Sequence, residues 1–291
     1  MTDPTPLDES IPVSGPSSKA WYLLRPKWTV LLVVVLLIGG IVLWFWLPYQ
    51  RRQWAIQAIE AAGADVVVVY TSVGGPDWLP SLVGGAAKRI LRKPRSVHIR
   101  GTPEFGDEDL KHLAGLTNLH TLYLADTQVR DEGLKHLAGL TNLRMLYIHS
   151  TPISDEGLKH LATNLHTLYL ENTRVSDEGL KHLAGLTKLV YLSLADMQVS
   201  DDGLKHLTGL TNLKRLSLIR TQVSDEGLKH LAGLTNLNDL YLDRTQVSDE
   251  GLKHLAGLTK LVNLSLTHTQ VSDDGVASLH RALPRCKIKT D

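Results

Sequence analysis

The chain has 291 residues, 43% hydrophobic and 21% charged, with 31 lysines and arginines against 30 acids for a formal net charge of +1. That balance gives no electrostatic reason to invoke nucleic acid as a partner. The single cysteine, Cys286, excludes an intrachain disulfide and leaves the redox compartment open.

In chain order, residues 1–27 come first, with Pro, Ser and Asp concentrated in the first 20; such a segment cannot bury a core and reads as a disordered tail. Residues 28–48 come next, an uncharged, mostly Val and Leu run between Lys27 and Arg51. At about 1.5 Å per residue, about 20 residues span the roughly 30 Å of a bilayer's hydrocarbon core, so this run reads as a transmembrane helix with the lipid bilayer as its partner. Trp21, Tyr22 and Trp28 on one side, and Trp44, Trp46 and Tyr49 on the other, fit interfacial aromatic belts. The run is long for a signal peptide and no small-x-small cleavage site succeeds it, so a retained anchor is expected. Lys19, Arg25 and Lys27 before the span, against Arg51 and Arg52 after it, lean toward an extracytoplasmic C-terminal part.

Residues 49–95 form the next expected block. Within it, residues 51–62 carry Trp54, Ile56 and Ile59 among polar residues as in a juxtamembrane helix, 64–70 is a β-branched run, Gly74-Gly75-Pro76 is a turn and 77–91 is a candidate helix. With the irregular unit around Val97 and Ile99, which carries one extra residue, this block is expected to form the N-terminal cap of a repeat array.

Residues 96–283 are repetitive. Units begin at Leu119, Leu143, Leu165, Leu189, Leu213, Leu237 and Leu261, a 24-residue period broken once by a unit of 22. A period of this length means a solenoid. In the unit at Leu237, Leu240 and Leu242 alternate with exposed positions as in a strand buried on one face. Leu252, Leu255 and Leu258 then recur at helical spacing. Ser248 suits the N-cap, Asp249 and Glu250 suit the positive end of the helix dipole, and Gly257 suits a left-handed stop. Residues 284–291 are expected to end the C-terminal cap.

Leu-x-x-Leu-x-Leu, then a buried Val five residues on and a capped helix, resembles the leucine-rich repeat family, most closely the subtype of F-box-associated repeats and their bacterial relatives. The resemblance implies an α/β fold: a right-handed arc with a concave parallel sheet and convex short helices. The family's usual Asn is replaced by Thr127, Thr151, Thr173, Thr221, Thr245 and Thr269, with Met197 once; a hydroxyl can still satisfy a nearby backbone group. The cysteine-rich caps of secreted eukaryotic members are absent, as in a bacterial-type or cytosolic protein.

His112, His136, His160, His182, His206, His230 and His254 stand in register. Adjacent helices lie roughly 8–10 Å apart, too far for neighbouring imidazoles to share one zinc. An acid four residues before each histidine, as with Glu132 and His136, reads instead as a charge-paired outer face, in which case stability falls as pH rises through the histidine titration. Phosphate loops, His-Glu-x-x-His, a nucleophile elbow and paired metal cysteines are all missing, so the expectation is no enzyme and no cofactor.

Variation between units concentrates on the outward strand positions. Tyr123, Tyr147, Tyr169 and Tyr241 occupy the position between the strand leucines, and Met145, Tyr191, Arg215 and Asp239 the one before. Asp243 comes directly after the second leucine. With parallel strands about 4.8 Å apart, Tyr123, Met145, Tyr147, Tyr169 and Tyr191 should form one patch. Beyond it Arg215, Arg220, Asp239, Asp243 and Arg244 form a charged half. Aromatic residues and arginine dominate interface energetics, so this face is the expected site for a protein or peptide ligand. The reading is a membrane-anchored binding or scaffolding module. The alternatives are a ubiquitin-ligase-type adaptor and a structural envelope protein. The 22-residue unit lacks one Gly-Leu, and an irregularity is expected near Asn164.

Overall fold

Alternation of buried leucines with outward side chains, then a capped helical turn, recurs because each coil can bury its apolar face only against its neighbours. The structure, a computed structural model, describes residues 26–61, 65–70 and 94–291. The expectations for residues 1–25, the turn at 74–76 and the helix at 77–91 lie outside the described residues. The chain divides into two units, residues 1–48 and 49–291.

The first helix, α1 (Pro26–Ala61), continues through the position of Pro48, so the expected span and juxtamembrane helix are one element. Residues 31–37 are exposed on every side of it. Among the described residues no helix is long and apolar enough to cross a membrane. In the second unit, Ala55 and Ile56 are buried, and the ring of Trp54 meets His112 edge-on at 5.0 Å.

One ten-stranded sheet runs through the second unit in sequence order. Strand β1 (Asp65–Tyr70) pairs antiparallel with β2 (Pro94–Arg100). From β2 onward every pairing is parallel: β3 (Thr121–Ala125), β4 (Met145–Tyr147), β5 (Thr167–Tyr169), β6 (Tyr191–Ser193), β7 (Arg215–Ser217), β8 (Asp239–Tyr241), β9 (Asn263–Ser265) and β10 (Lys287–Lys289). The C-terminal segment thus adds a strand to the sheet rather than only lying over its end. Behind the sheet the leucines form one continuous core; in the coil from Leu213, the side chains of Leu213, Leu216, Leu218, Val223, Leu228, Leu231 and Leu234 are fully buried. Each contributes about 1.5–3 kcal/mol of transfer free energy.

The helical half is shorter than its spacing implies. A single α-turn, such as Asp225–Leu228, passes into a 3-10 turn, Lys229–Leu231. Only the last helix, Asp273–Ala282, is a regular one of 10 residues. Four features add to the expectation or depart from it. The aspartate that opens each turn reaches across to the adjoining coil: Asp201 accepts the backbone N–H of Ser224 at 2.7 Å through Oδ1 and its hydroxyl at 2.6 Å through Oδ2. The same pair of bonds recurs from Asp131, Asp155, Asp177, Asp225 and Asp249 to the serines of their next coils.

Second, the exposed ion pairs join lysine to the acid three residues before it, Lys135 to Glu132 at 2.5 Å and Lys181 to Glu178 at 2.8 Å, rather than acid to histidine at four. The histidine column is half-buried. At His182, burial first and then Lys159 and Lys181 push the imidazole below its ordinary value. The sign is therefore opposite to that of a charge-paired face: the contribution of His182 is intact above its unfolded pKa and lost as pH falls through the lowered one.

Third, Gly257 is not left-handed. Among the described residues the positive φ values fall on Gly101 and on Asp126, Ser150, Asn172, Asp196, Arg220, Arg244 and His268, the residue before each Thr or Met at the strand's end. There the Thr hydroxyl donates to the carbonyl three residues back, Thr245 to Leu242 at 2.7 Å, closing the turn that ends the strand. Fourth, an asparagine column does exist, at another place. Asn142, Asn212 and Asn236 each donate through Nδ2 to the threonine carbonyl of the preceding coil, at 2.9, 2.8 and 2.8 Å.

In the 22-residue coil the turn Asp155–Leu158 runs on to β5 without a 3-10 turn. Leu161 is only partly buried. A cavity of about 250 Å³ opens there, lined by Ala138, Thr141 and residues 159–164.

The glycine at the third position of the helical turns from Asp131–Leu134 onward is a consequence of the aspartate contacts; the first turn, Asp107–Leu110, has Asp109 there. A Cβ on Gly227 would lie 2.3 Å from Asp201 Oδ1, an atom held by Ser224, and 3.1 Å from Leu204 Cδ1. Gly227→Ala should therefore cost about 1–3 kcal/mol, as overpacking does. Gly233→Ala, where nothing lies within 4 Å of a built Cβ, is the control. Urea unfolding of the two variants measures the difference.

Candidate binding face

Parallel pairing in register places equivalent residues of successive coils side by side: Tyr123 beside Tyr147, Tyr147 beside Tyr169, and Thr167 beside Tyr191. The rings do more than share a face. Tyr123 and Tyr147 stack at 3.8 Å and 9°, Tyr147 and Tyr169 at 4.4 Å and 20°, and Tyr169 and Tyr191 at 4.5 Å and 27°. These separations are shorter than the roughly 4.7–4.9 Å between strands, so the side chains converge, as they do on the inner side of a curved sheet. Beneath them Thr121 and Ala125 are buried although they occupy outward positions.

Both ends of the ladder extend past the tyrosines. At one end His98, on β2, lies 4.1 Å from the ring of Tyr123, and burial, then Arg100, lowers its pKa, which favours neutral imidazole. Its place between Val97 and Ile99 matches that of tyrosine between two leucines, a signal that was available in the sequence. At the other end the Arg215 guanidinium lies 5.6 Å from the Tyr191 centroid. It donates through Nε to Asp239 at 3.0 Å. Asn263 donates to the other Asp239 oxygen at 2.5 Å.

The charged half is thus largely satisfied within the face. The Asp239 side chain is only 12% exposed. Asp243 accepts from the Ser265 hydroxyl at 2.6 Å and from the Thr267 backbone and hydroxyl. Although burial opposes it, these hydrogen bonds hold its carboxyl below the usual range. Arg220 pairs with Asp196 at 3.0 Å. Tyr241 stands in register with Ser217 and Ser265, apart from the ladder. Met145 lies in register between Thr121 and Thr167, partly exposed beside the rings.

Because the ring faces are spent on one another, the ladder presents ring edges and hydroxyls. Those edges carry the positive part of the aromatic quadrupole. A partner would meet a row of hydrogen-bonding phenols rather than an open aromatic cage. Among the described residues no group of three or more His, Cys, Asp or Glu side chains is arranged to hold a metal ion.

Comparison with known proteins agrees with this architecture. The pattern described as "Leucine Rich repeat" matches residues 115–138, 161–184 and 257–279. An internalin C2 of Listeria monocytogenes is similar in structure, with 30% identity over 68% of this chain and 81% of that one and a TM-score of 0.58. The chain belongs to the leucine-rich repeat family. A second internalin of that organism, inlF, has 28% identity over 62% of this chain and 56% of that one, with a TM-score of 0.49. Comparison with curated proteins gives no match. A leucine-rich repeat domain of this kind is typical of non-enzymatic protein-interaction scaffolds.

Burial first, then the neighbouring Tyr123 hydroxyl, raises the pKa of Tyr147; burial and Tyr191 do the same for Tyr169. Unfolded tyrosine loses its proton near pH 10, so above that pH the unfolded chain binds fewer protons than the folded one. The ladder's contribution is therefore intact below about pH 10 and lost as pH rises beyond it. Spectrophotometric titration should find at least two phenols ionising later than free tyrosine, and melting temperature should fall from about pH 10 upward.

Proposed function

We propose that this protein is a membrane-anchored binding module whose stacked tyrosine face engages a protein or peptide partner. The observation that carries the reading is the unbroken ladder from His98 through Tyr191 to Arg215 on the open face of the sheet. Tyrosine and arginine are the residue types that concentrate interface energy, and rings already held by stacking lose little freedom on binding. Met145 adds adaptable apolar surface beside the rings. Arg215 supplies directional charge at the ladder's end, while Asp239 and Asp243 hold that end in shape.

The anchor is residues 28–48. Its support is the uncharged sequence together with the exposure of residues 31–37 on all sides of α1, since a helix apolar all round needs either a protein core or lipid. The charge balance of the flanks favours the extracytoplasmic side for the repeats. Protease added to intact cells should then cleave the repeats; full protection would reverse the orientation.

The binding reading is tested with the full chain carrying Tyr147→Ala and Tyr169→Ala together. A stoichiometric partner held by the wild-type chain should bind about tenfold or more weakly, the loss expected when interface anchors worth more than about 1.4 kcal/mol are removed. Circular dichroism should show that the coils remain folded. Unchanged affinity in a folded variant would exclude the ladder as the site.

A further inference from the structure

Charge is unevenly placed around each coil. The stretches that lead from the helical turns into the strands, 114–120, 138–144, 162–166, 184–190, 208–214, 232–238 and 256–262, hold no Asp or Glu. Within these repeats the acids lie in the helical turns and past the ends of the strands, Asp239 apart. The acid-free stretches carry His120, Arg144, His166, Lys188 and Lys214. A net charge of +1 thus conceals a separation, with a basic rim where the strands begin.

Backbone bonds hold this rim in step: the Arg144 N–H donates to the His120 carbonyl at 2.9 Å, that of His166 to Arg144 at 2.7 Å, that of Val190 to His166 at 2.8 Å and that of Lys214 to Val190 at 2.9 Å. Successive members lie about 4.8 Å apart. Arg144 and Lys214 are exposed, and His120 and His166 are half-buried. Lys188 donates to Asn164 Oδ1 at 2.6 Å, a neutral partner that leaves its charge uncancelled. Among the described residues Arg144, Lys188 and Lys214 have no ion pair. The rim borders the ladder, since Arg144 precedes Tyr147 by three residues, about 10 Å along a strand.

We propose that the partner of the tyrosine ladder is an acidic segment of a protein, its carboxylates lying along the rim from Arg144 to Lys214 while the phenol hydroxyls hydrogen-bond the rest of it. This rests on the ladder reading and gives the partner its chemistry. Uncancelled charges of one sign in a row attract the opposite sign and steer its approach. Each phenol both donates and accepts, so a hydroxyl that meets its neighbour keeps capacity for a ligand. Arg144 and Lys214, three coils and about 14 Å apart, match acids four residues apart in an extended segment, about 13 Å, where alternate side chains share a face. Single-stranded nucleic acid is anionic too, but its bases bind by stacking on open aromatic faces. Here those faces are closed against one another.

The test is fluorescence anisotropy with the full-length chain in a non-ionic detergent and three labelled probes of equal length: an alternating Glu-Ser peptide, an alternating Gln-Ser peptide and oligothymidylate. The Glu-Ser peptide should bind about tenfold or more tightly than the Gln-Ser peptide, and Arg144→Gln with Lys214→Gln should remove about tenfold, roughly 1.4 kcal/mol. Lys229→Gln with Lys253→Gln makes the same charge change in the helical turns and should leave affinity nearly unaltered. An equal loss in that pair would mean that net charge alone is read, and the rim would be excluded as the site. Tighter binding of oligothymidylate than of the Glu-Ser peptide would replace the acidic segment with nucleic acid, and no binding by either peptide would refute the proposal outright. Equal affinity for the two peptides, both weakened by Tyr147→Ala with Tyr169→Ala, overturns the acidic partner and leaves the ladder reading standing. A glutamate preference that survives those tyrosine changes unaltered overturns the ladder reading, and the shared site with it. Circular dichroism confirms that each variant is folded.

Discussion

The carboxylate that opens each helical turn holds this solenoid in step. By accepting both the backbone N–H and the hydroxyl of the next coil's serine, it ties one coil to another at a fixed separation. The glycine three residues beyond that serine has no side chain because the carboxylate occupies the space a Cβ would need. Leucine burial drives the stacking but is indifferent to small slips, whereas a bidentate contact repeated through the stack is not. Strand spacing on the opposite side inherits this precision. Tyrosines at equivalent positions can therefore stack face to face instead of scattering among rotamers.

The solenoid and its sheet were legible because burial imposes a period, and the period is written directly in leucine. The ring column was legible for the same reason: the outward positions recur with the strand leucines that flank them, so Tyr123, Tyr147 and Tyr169 fall in register. What the sequence hid were contacts between coils that use residue types already explained within a coil. Asp249 at a helix start satisfies the dipole argument whether or not it also bonds Ser272. Lysine three residues after an acid and histidine four after it are both plausible partners, and side-chain reach decides for lysine. Gly257 stands just after the helical segment, where a left-handed stop is common, yet the left-handed positions are Asp126 and its equivalents, where the Thr hydroxyl rewards the conformation. His98 is harder to read because its coil carries an extra residue, although its flanking Val97 and Ile99 mark the same strand position as Tyr123.

The two halves of the open face differ in what they leave unsatisfied. Around Asp239 and Asp243, hydrogen bonds between adjacent coils consume most of the acceptor capacity, which stiffens that end and leaves little for a ligand to claim. Along the tyrosines the internal bonds are stacking contacts together with hydroxyl contacts between Tyr123 and Tyr147 and between Tyr169 and Tyr191. A surface so divided can combine a rigid frame with a region whose hydrogen-bonding groups are positioned in advance, and preorganisation of that kind lowers the entropic cost of association.

The shortened coil has a consequence for how such an array can change. Its two missing residues come out of the helical return, and the strands on either side still pair Met145 with Thr167 and Tyr147 with Tyr169. Coil length and ladder phase are thus uncoupled: the back absorbs the deletion as a cavity while the front keeps count. An array with this property can gain or lose residues at its outer turns without scrambling the order of side chains it displays.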